Sequence, residues 1–188
     1  SRGLGDVYKR QEKVKEIVKR ECCEEDWKFH ILIVVKYAKL LAKKLGVDEK
    51  LAELGALLHD IGRIRIGGKD HEITGAKEAE KILKELNCPE EIIEEIKHCV
   101  EAHRGKIKPR TKIAEIIANA DAMAHFDAIP ALFLAAFKRE KEFEKAVEWV
   151  YSKVERDWKK LTIPEAKEMM KEKYEAIKLL LDSMKKYI

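Results

Sequence analysis

Between residues 27 and 45, six apolar residues (Trp27, Ile31, Val34, Ala38, Leu41 and Leu45) recur at alternating steps of three and four. At 3.6 residues per turn this spacing draws one stripe down an α-helix, and a second row of Ile33, Tyr37 and Leu40 widens it. So broad an apolar face must be covered by other elements, which marks a central helix. Nowhere does the chain alternate with period two for long enough to make a strand. The expected fold class is all-α, a helical bundle.

The remaining segments supply the covering helices. A charged helix over residues 12–25 carries Val14, Ile17 and Val18 on one side. Gly46 ends the central helix and Asp48 can cap the next, which runs through Leu51, Leu54, Leu57 and Leu58 to the sequence HDIG at His59 to Gly62. Paired glycines make RIRIGGKD a loop, and a helix follows over 73–86. Further helices are expected over 89–104 and 112–126, with two covering 130–158. Asn87 before Pro89 and Glu90, and Thr162 before Pro164 and Glu165, each read as a helix start, with a cap residue three positions ahead of a glutamate and proline in the first turn.

At 188 residues the chain can bury one sizeable core, and no Pro, Gly or Ser-rich stretch separates two. One domain is expected over 12–188. The first eleven residues, SRGLGDVYKRQ, differ in composition from the Lys/Glu-rich remainder and are expected to be a non-native leader. The net charge of +4 comes from 39 basic and 35 acidic residues spread along the whole chain, which describes a salt-bridged helical surface and gives no clustered face for a nucleic-acid polymer. Gln11 is the only glutamine, and Asn87 and Asn119 are the only asparagines; scarce amides beside abundant Lys and Glu point to a heat-adapted source. No apolar run approaches the roughly 18 residues of a membrane span, so a cytoplasmic location is expected. Cys22 beside Cys23, with Cys88 and Cys99 apart, gives neither a zinc spacing nor a disulfide framework and reads as reduced thiols.

Four residues carry the chemistry. His30 lies inside FHILIVV, where a polar ring must find a partner. Taken alone, it is first read as a hydrogen-bonded core residue. His59 and Asp60 end a helix whose preceding turn offers Ala52, Gly55 and Ala56 on the same side, which leaves room for an ion or for a close neighbour. Asp121, four residues after Ile117 and eight after Ile113, projects from an apolar stripe, and a buried acid must be paired with a cation or bound to a metal. Together, two imidazoles and two carboxylates on core-directed faces supply the mixed N/O set that suits Mn, Fe, Co, Ni or Zn better than Ca.

With these residues in place the sequence resembles the HD superfamily of metal-dependent phosphohydrolases, whose signature is a histidine, a His-Asp doublet and a distant aspartate. The match reads WKFHILIVVKYA around His30, GALLHDIGR around His59 and Asp60, and IANADAMAHFD around Asp121. The resemblance implies a divalent metal held by His30, His59, Asp60 and Asp121, with Asp60 also placed to accept a proton from the attacking water. Family members often carry later histidines that hold a second metal or the substrate phosphate. His71 in DHEITGAKEA and His103 in HCVEAHRG are the better matches, whereas His98, five residues before His103, reads as an exposed helix residue. Arg63, Arg65, Lys69 and Arg104 surround these histidines in sequence, and Arg63 and Arg104, directly beside the motifs, are candidate phosphate contacts. The implied reaction is hydrolysis of a phosphomonoester or phosphodiester, with a nucleotide as the implied substrate and no membrane partner. A di-iron oxygenase and a non-catalytic nucleotide-binding regulatory module are the alternatives.

Overall fold

A computed structural model of the chain describes residues 2–68 and 70–187, the first eight of them as backbone alone. The elements are α1 (Arg2–Glu21), α2 (Glu24–Asp26), a π-helical turn (Trp27–Ile31), α3 (Leu32–Leu45), α4 (Glu49–Leu58), α5 (Ile61–Arg65), α6 (His71–Glu85), α7 (Glu90–Ala102), α8 (Lys112–Asp127), α9 (Ile129–Arg139), α10 (Phe143–Lys160) and α11 (Pro164–Met184). Among the described residues there is no strand, as the apolar periodicity predicts. No single helix among them is long and apolar enough to cross a membrane.

Two apolar clusters make the core. One joins α3, α8, α9, α10 and α11 around residues such as Leu41, Ile116, Met123, Val150 and Met170. The other joins α1, the π turn, α4, α6 and α7 around Val14, Ile31, Leu58, Ile82 and Ile96. Helix α4 serves both, since Ala52 and Ala56 belong to the first and Leu54, Leu57 and Leu58 to the second. The most enclosed helix is α8, which packs on α3, α4, α7, α10 and α11. Its buried Ala114, Ala118, Ala120, Ala122 and Ala124 let those neighbours close in from several sides. The central position expected for 27–45 therefore passes to a helix whose small side chains make a weaker periodic signal.

Several local expectations hold and several change. Asp48 caps α4, its Oδ1 accepting from Lys50 N and Leu51 N. Gly46, in the left-handed region at φ 65°, ends α3 with Val47 N donating to Ala42 O. Asn87 does not start α7. It sits at φ 53° and closes α6, where Cys88 N donates to Leu83 O and Asn87 N to Lys84 O, so the left-handed residue after the helix took precedence over the capping pattern. Nor does Thr162 cap α11, because its N–H and hydroxyl turn instead to Asn119 and Glu115 on α8. Helix α1 begins well before residue 12, and Gln11 is buried with its Nε2 donating to Lys50 O. Finally, 27–45 is not one uniform helix, because a π turn lies at its start and contains His30.

Candidate metal centre

His30 stands in that π turn, a wider coil that often marks functional positions because it re-aims a side chain without ending the helix. His59 and Asp60 occupy the break between α4 and α5, and Asp121 lies on α8. Three helical segments therefore deliver one group. His30 Nε2 is 3.1 Å from His59 Nε2 and 3.5 Å from Asp121 Oδ1, and His59 Nε2 is 3.9 Å from Asp121 Oδ1. A second group forms from Asp60, His71 and His103, with His71 Nε2 at 3.4 Å and His103 Nε2 at 3.6 Å from Asp60 Oδ1. Asp60 joins the two, because its other oxygen, Oδ2, faces His30 at 3.2 Å and His59 at 3.6 Å.

The small face of α4 serves a close neighbour, since a Cβ on Gly55 would stand 3.1 Å from Ile117 Cγ1 of α8. Gly62 of the HDIG sequence acts in the same way on the other side. A Cβ there would meet His71 O at 2.2 Å and Gly75 N at 2.5 Å, so α5 and α6 touch through their backbones and His71 is brought to Asp60.

The residues present fit a divalent cation by their hydrogen-bonding chemistry. His59 Nδ1 is 2.7 Å from Ala56 O and His103 Nδ1 is 2.6 Å from Val100 O. A carbonyl only accepts, so each Nδ1 carries the proton and a neutral ring turns the lone pair of Nε2 into the site. Burial pushes the His59 imidazole down to about 3, which keeps it neutral. Burial alone would raise Asp60, but Arg63 and the surrounding histidines hold it well below the usual carboxylate range; Lys160 and His125 do the same for Asp121. Lone pairs and carboxylate oxygens thus converge to 3.1–3.9 Å from one another, near the spacing of ligand atoms around one ion, about 3–3.5 Å for bonds near 2.0–2.2 Å. Each of the two groups can hold a metal ion.

The arginines beside the motifs are already tethered. Arg63 donates through Nε to Asp60 Oδ2 at 2.8 Å and through NH1 to Asp26 Oδ2 at 2.6 Å. Arg104 NH1 donates to Glu72 Oε2 at 2.6 Å, and Arg65 pairs with Glu21 and Glu78, away from the metal groups. Lys69 lies outside the described residues. His98 is a correction: it is buried, not exposed, and its Nε2 accepts from Arg110 N at 2.9 Å. The loop after α7 folds back over it, and of the two histidines only His103 joins a metal group.

Sequence reasoning missed a polar network behind the centre. His125 stacks on His30 with ring centroids 5.0 Å apart, and its Nδ1 lies 3.0 Å from Asp157 Oδ2. Lys153 Nζ donates to both oxygens of Asp157. Lys160 Nζ donates to Asp121 Oδ2 at 2.6 Å and to His103 O at 3.0 Å. The available signal was a charge in a core register: Ala146, Val147, Val150 and Val154 set the buried stripe of α10, and Asp157 falls on it, three residues after Val154.

Known proteins resemble this chain to different extents. Ribonuclease Y of Finegoldia magna is 37% identical over 97 residues, half of this chain and 17% of that protein. The tRNA (cytidine(56)-2'-O)-methyltransferase of Picrophilus torridus is 34% identical over 116 residues, 53% of this chain and 32% of that protein. The chain thus spans less than a third of the length of these curated relatives. Among solved structures, Bacillus subtilis YpgQ in complex with ADP superposes with a TM-score of 0.73 at 18% identity, covering 97% of both chains. A predicted HD superfamily hydrolase from an uncultured Thermotogales bacterium gives 0.63 at 22% identity, covering 92% of this chain and 90% of its own. Both likenesses establish the fold. The HD domain profile matches residues 29–125, just over half of the chain, beginning one residue before His30 and ending on His125, and so the chain belongs to the HD domain family.

Proposed function

We propose that this protein is a metal-dependent phosphohydrolase acting on a small phosphorylated substrate, a nucleotide, as a phosphomonoesterase or phosphodiesterase. The observation that carries the reading is the division of Asp60 between two histidine-containing groups, Oδ2 toward His30 and His59 and Oδ1 toward His71 and His103. His30, His59, Asp60 and Asp121 would hold a divalent transition ion, and Asp60, His71 and His103 a second; such an ion would supply Lewis acidity toward a phosphoryl oxygen and acidify a water. The solved complex of YpgQ with ADP and the ribonuclease names among the relatives support a nucleotide or related phosphate ester.

The chain's own residues would do the following. Arg63 keeps Asp60 charged and fixed through its Nε bond, while its tether to Asp26 fixes the guanidinium in turn. Asp60 would take a proton from the attacking water. His103, fixed by its bond to Val100 O, and His71, in contact with the same oxygen of Asp60, would either hold the second ion through Nε2 or, with Nε2 also protonated, donate to the phosphoryl group or the leaving oxygen. Arg104, beside His103, and Arg63 are the candidate contacts for the remaining phosphate charge.

The test is metal analysis of the purified protein, followed by a screen of nucleoside mono-, di- and triphosphates and cyclic nucleotides with Mn, Fe, Co, Ni and Zn. Phosphate release that a chelator stops is the expected result. Oxygen uptake by the iron-loaded protein without phosphate release would replace the reading with an oxygenase. Tight nucleotide binding without turnover would replace it with a regulatory module.

A further inference from the structure

The structure assigns to Lys160 the role of a positioning residue that presents one oxygen of Asp121 to the metal centre and ties the two metal groups together from a helix outside the family region. The inference rests on the metal-dependent reading above. The family match ends at residue 125, whereas Lys160 is in the last turn of α10. Its side chain is 13% exposed and runs past Gly105, where a Cβ would come within 3.7 Å of its Cδ. Its ammonium donates to Asp121 Oδ2 at 2.6 Å, which leaves Oδ1 to face His30, His59 and His125 at 3.5–3.9 Å. The same ammonium donates to His103 O at 3.0 Å. One side chain thereby fixes a carboxylate of the first group and the backbone of a histidine in the second. Asp157 Oδ1, on the preceding turn of α10, adds a negative charge 3.9 Å from the ammonium.

A neutralising role and a positioning role predict opposite signs. A lysine that only balanced the charge of Asp121 would compete with a bound cation, so its removal would tighten metal binding. A lysine that holds the carboxylate in place does the reverse, because loss of a group that orients a metal ligand typically costs about 10–100-fold in affinity.

Zinc titrated into metal-free protein, in competition with a chromophoric chelator, reads the difference, with helicity followed by circular dichroism. K160M is expected to bind zinc at least about tenfold more weakly than wild type. Because Lys160 acts through Asp121, adding K160M to D121N should change affinity by less than about threefold. Equal or tighter binding by K160M, or a further tenfold loss on the D121N background, would overturn the assignment. If K160M alone does not fold, D121N/K160M, in which neither buried charge is left without its partner, is compared with D121N, and a further tenfold loss overturns the assignment. A wild-type protein that binds no zinc, nor any other transition ion, would instead overturn the metal-dependent reading itself.

Discussion

Gly62 and Gly75 meet backbone to backbone: a Cβ on Gly62 would stand 2.5 Å from Gly75 N and 2.7 Å from its Cα. The contact clamps α5 onto α6 just where Asp60 precedes one helix and His71 opens the other. The glycine of HDIG therefore serves the site by letting His71 approach Asp60.

Gly62→Ala should be strongly destabilising, because the methyl group meets backbone atoms that cannot rotate away. Overpacking of a filled core costs about 1–3 kcal/mol, and this case belongs at the upper end. Gly75→Ala should cost less, since its nearest contact is Val100 Cγ1 at 2.9 Å, a side-chain atom that can shift. Urea unfolding of both variants provides the comparison, and an equal loss would mean that the α5–α6 contact has slack.

Arg63 links two carboxylates, Asp60 and Asp26, with one planar guanidinium. Arg63→Lys keeps the charge but loses that geometry. It should reduce turnover of an active phosphorylated substrate by at least about tenfold, since a mispositioned catalytic group costs on that order or more. The α-helical signal should remain. Steady-state kinetics beside circular dichroism checks this, and wild-type turnover would show that Asp60 does not depend on Arg63 for its position.

The candidate ligand set was legible in the sequence because each of its residues breaks a pattern. His30 interrupts an apolar run, Asp121 sits on an apolar stripe, and the His59–Asp60 doublet follows a turn of small residues. Helix existence was legible for the same periodic reason. The reach of distant residues was not. Lys160 lies 39 positions from Asp121, and nothing local distinguishes it from other lysines at helix ends. The π turn at His30 was also hidden, because Trp27 and Ile31 keep the same step of four that an α-helical stripe would show. His98 was misread as exposed because its cover, the 103–111 loop, returns from beyond the helix that carries it.

His103→Ala should lose at least about tenfold in activity, the usual scale for a positioned proton donor or phosphate ligand. It should retain an ion in the first group, which does not include it. His98→Ala should stay active but become less stable by about 1–3 kcal/mol, because the buried acceptor of Arg110 N is removed. Turnover, metal content and urea midpoints of the two variants give a crossed pattern. Similar activity losses in both would mean that the second group is not centred on His103.

Metal removal should destabilise the fold, with a sign that follows from linkage. The donors of both groups converge only in the folded chain, from the π turn, the α4–α5 break, α6, α7 and α8, so an ion binds the native state far better than the unfolded one. At a free concentration about one hundred times its dissociation constant, such an ion adds about 2.7 kcal/mol. For a chain of this size that corresponds to roughly 5–10 °C in Tm. Manganese or zinc added to chelator-treated wild type should therefore raise the melting temperature by that order, and a chelator should reverse it. Asp60→Ala removes the carboxylate common to both groups. Its melting temperature should respond to the ion by less than half as much, and its hydrolysis of a phosphorylated substrate should fall to background while the helical signal persists. A full thermal shift in Asp60→Ala would show that the ion is held without the residue that joins the two groups, and the bridging geometry would then have no part in binding it.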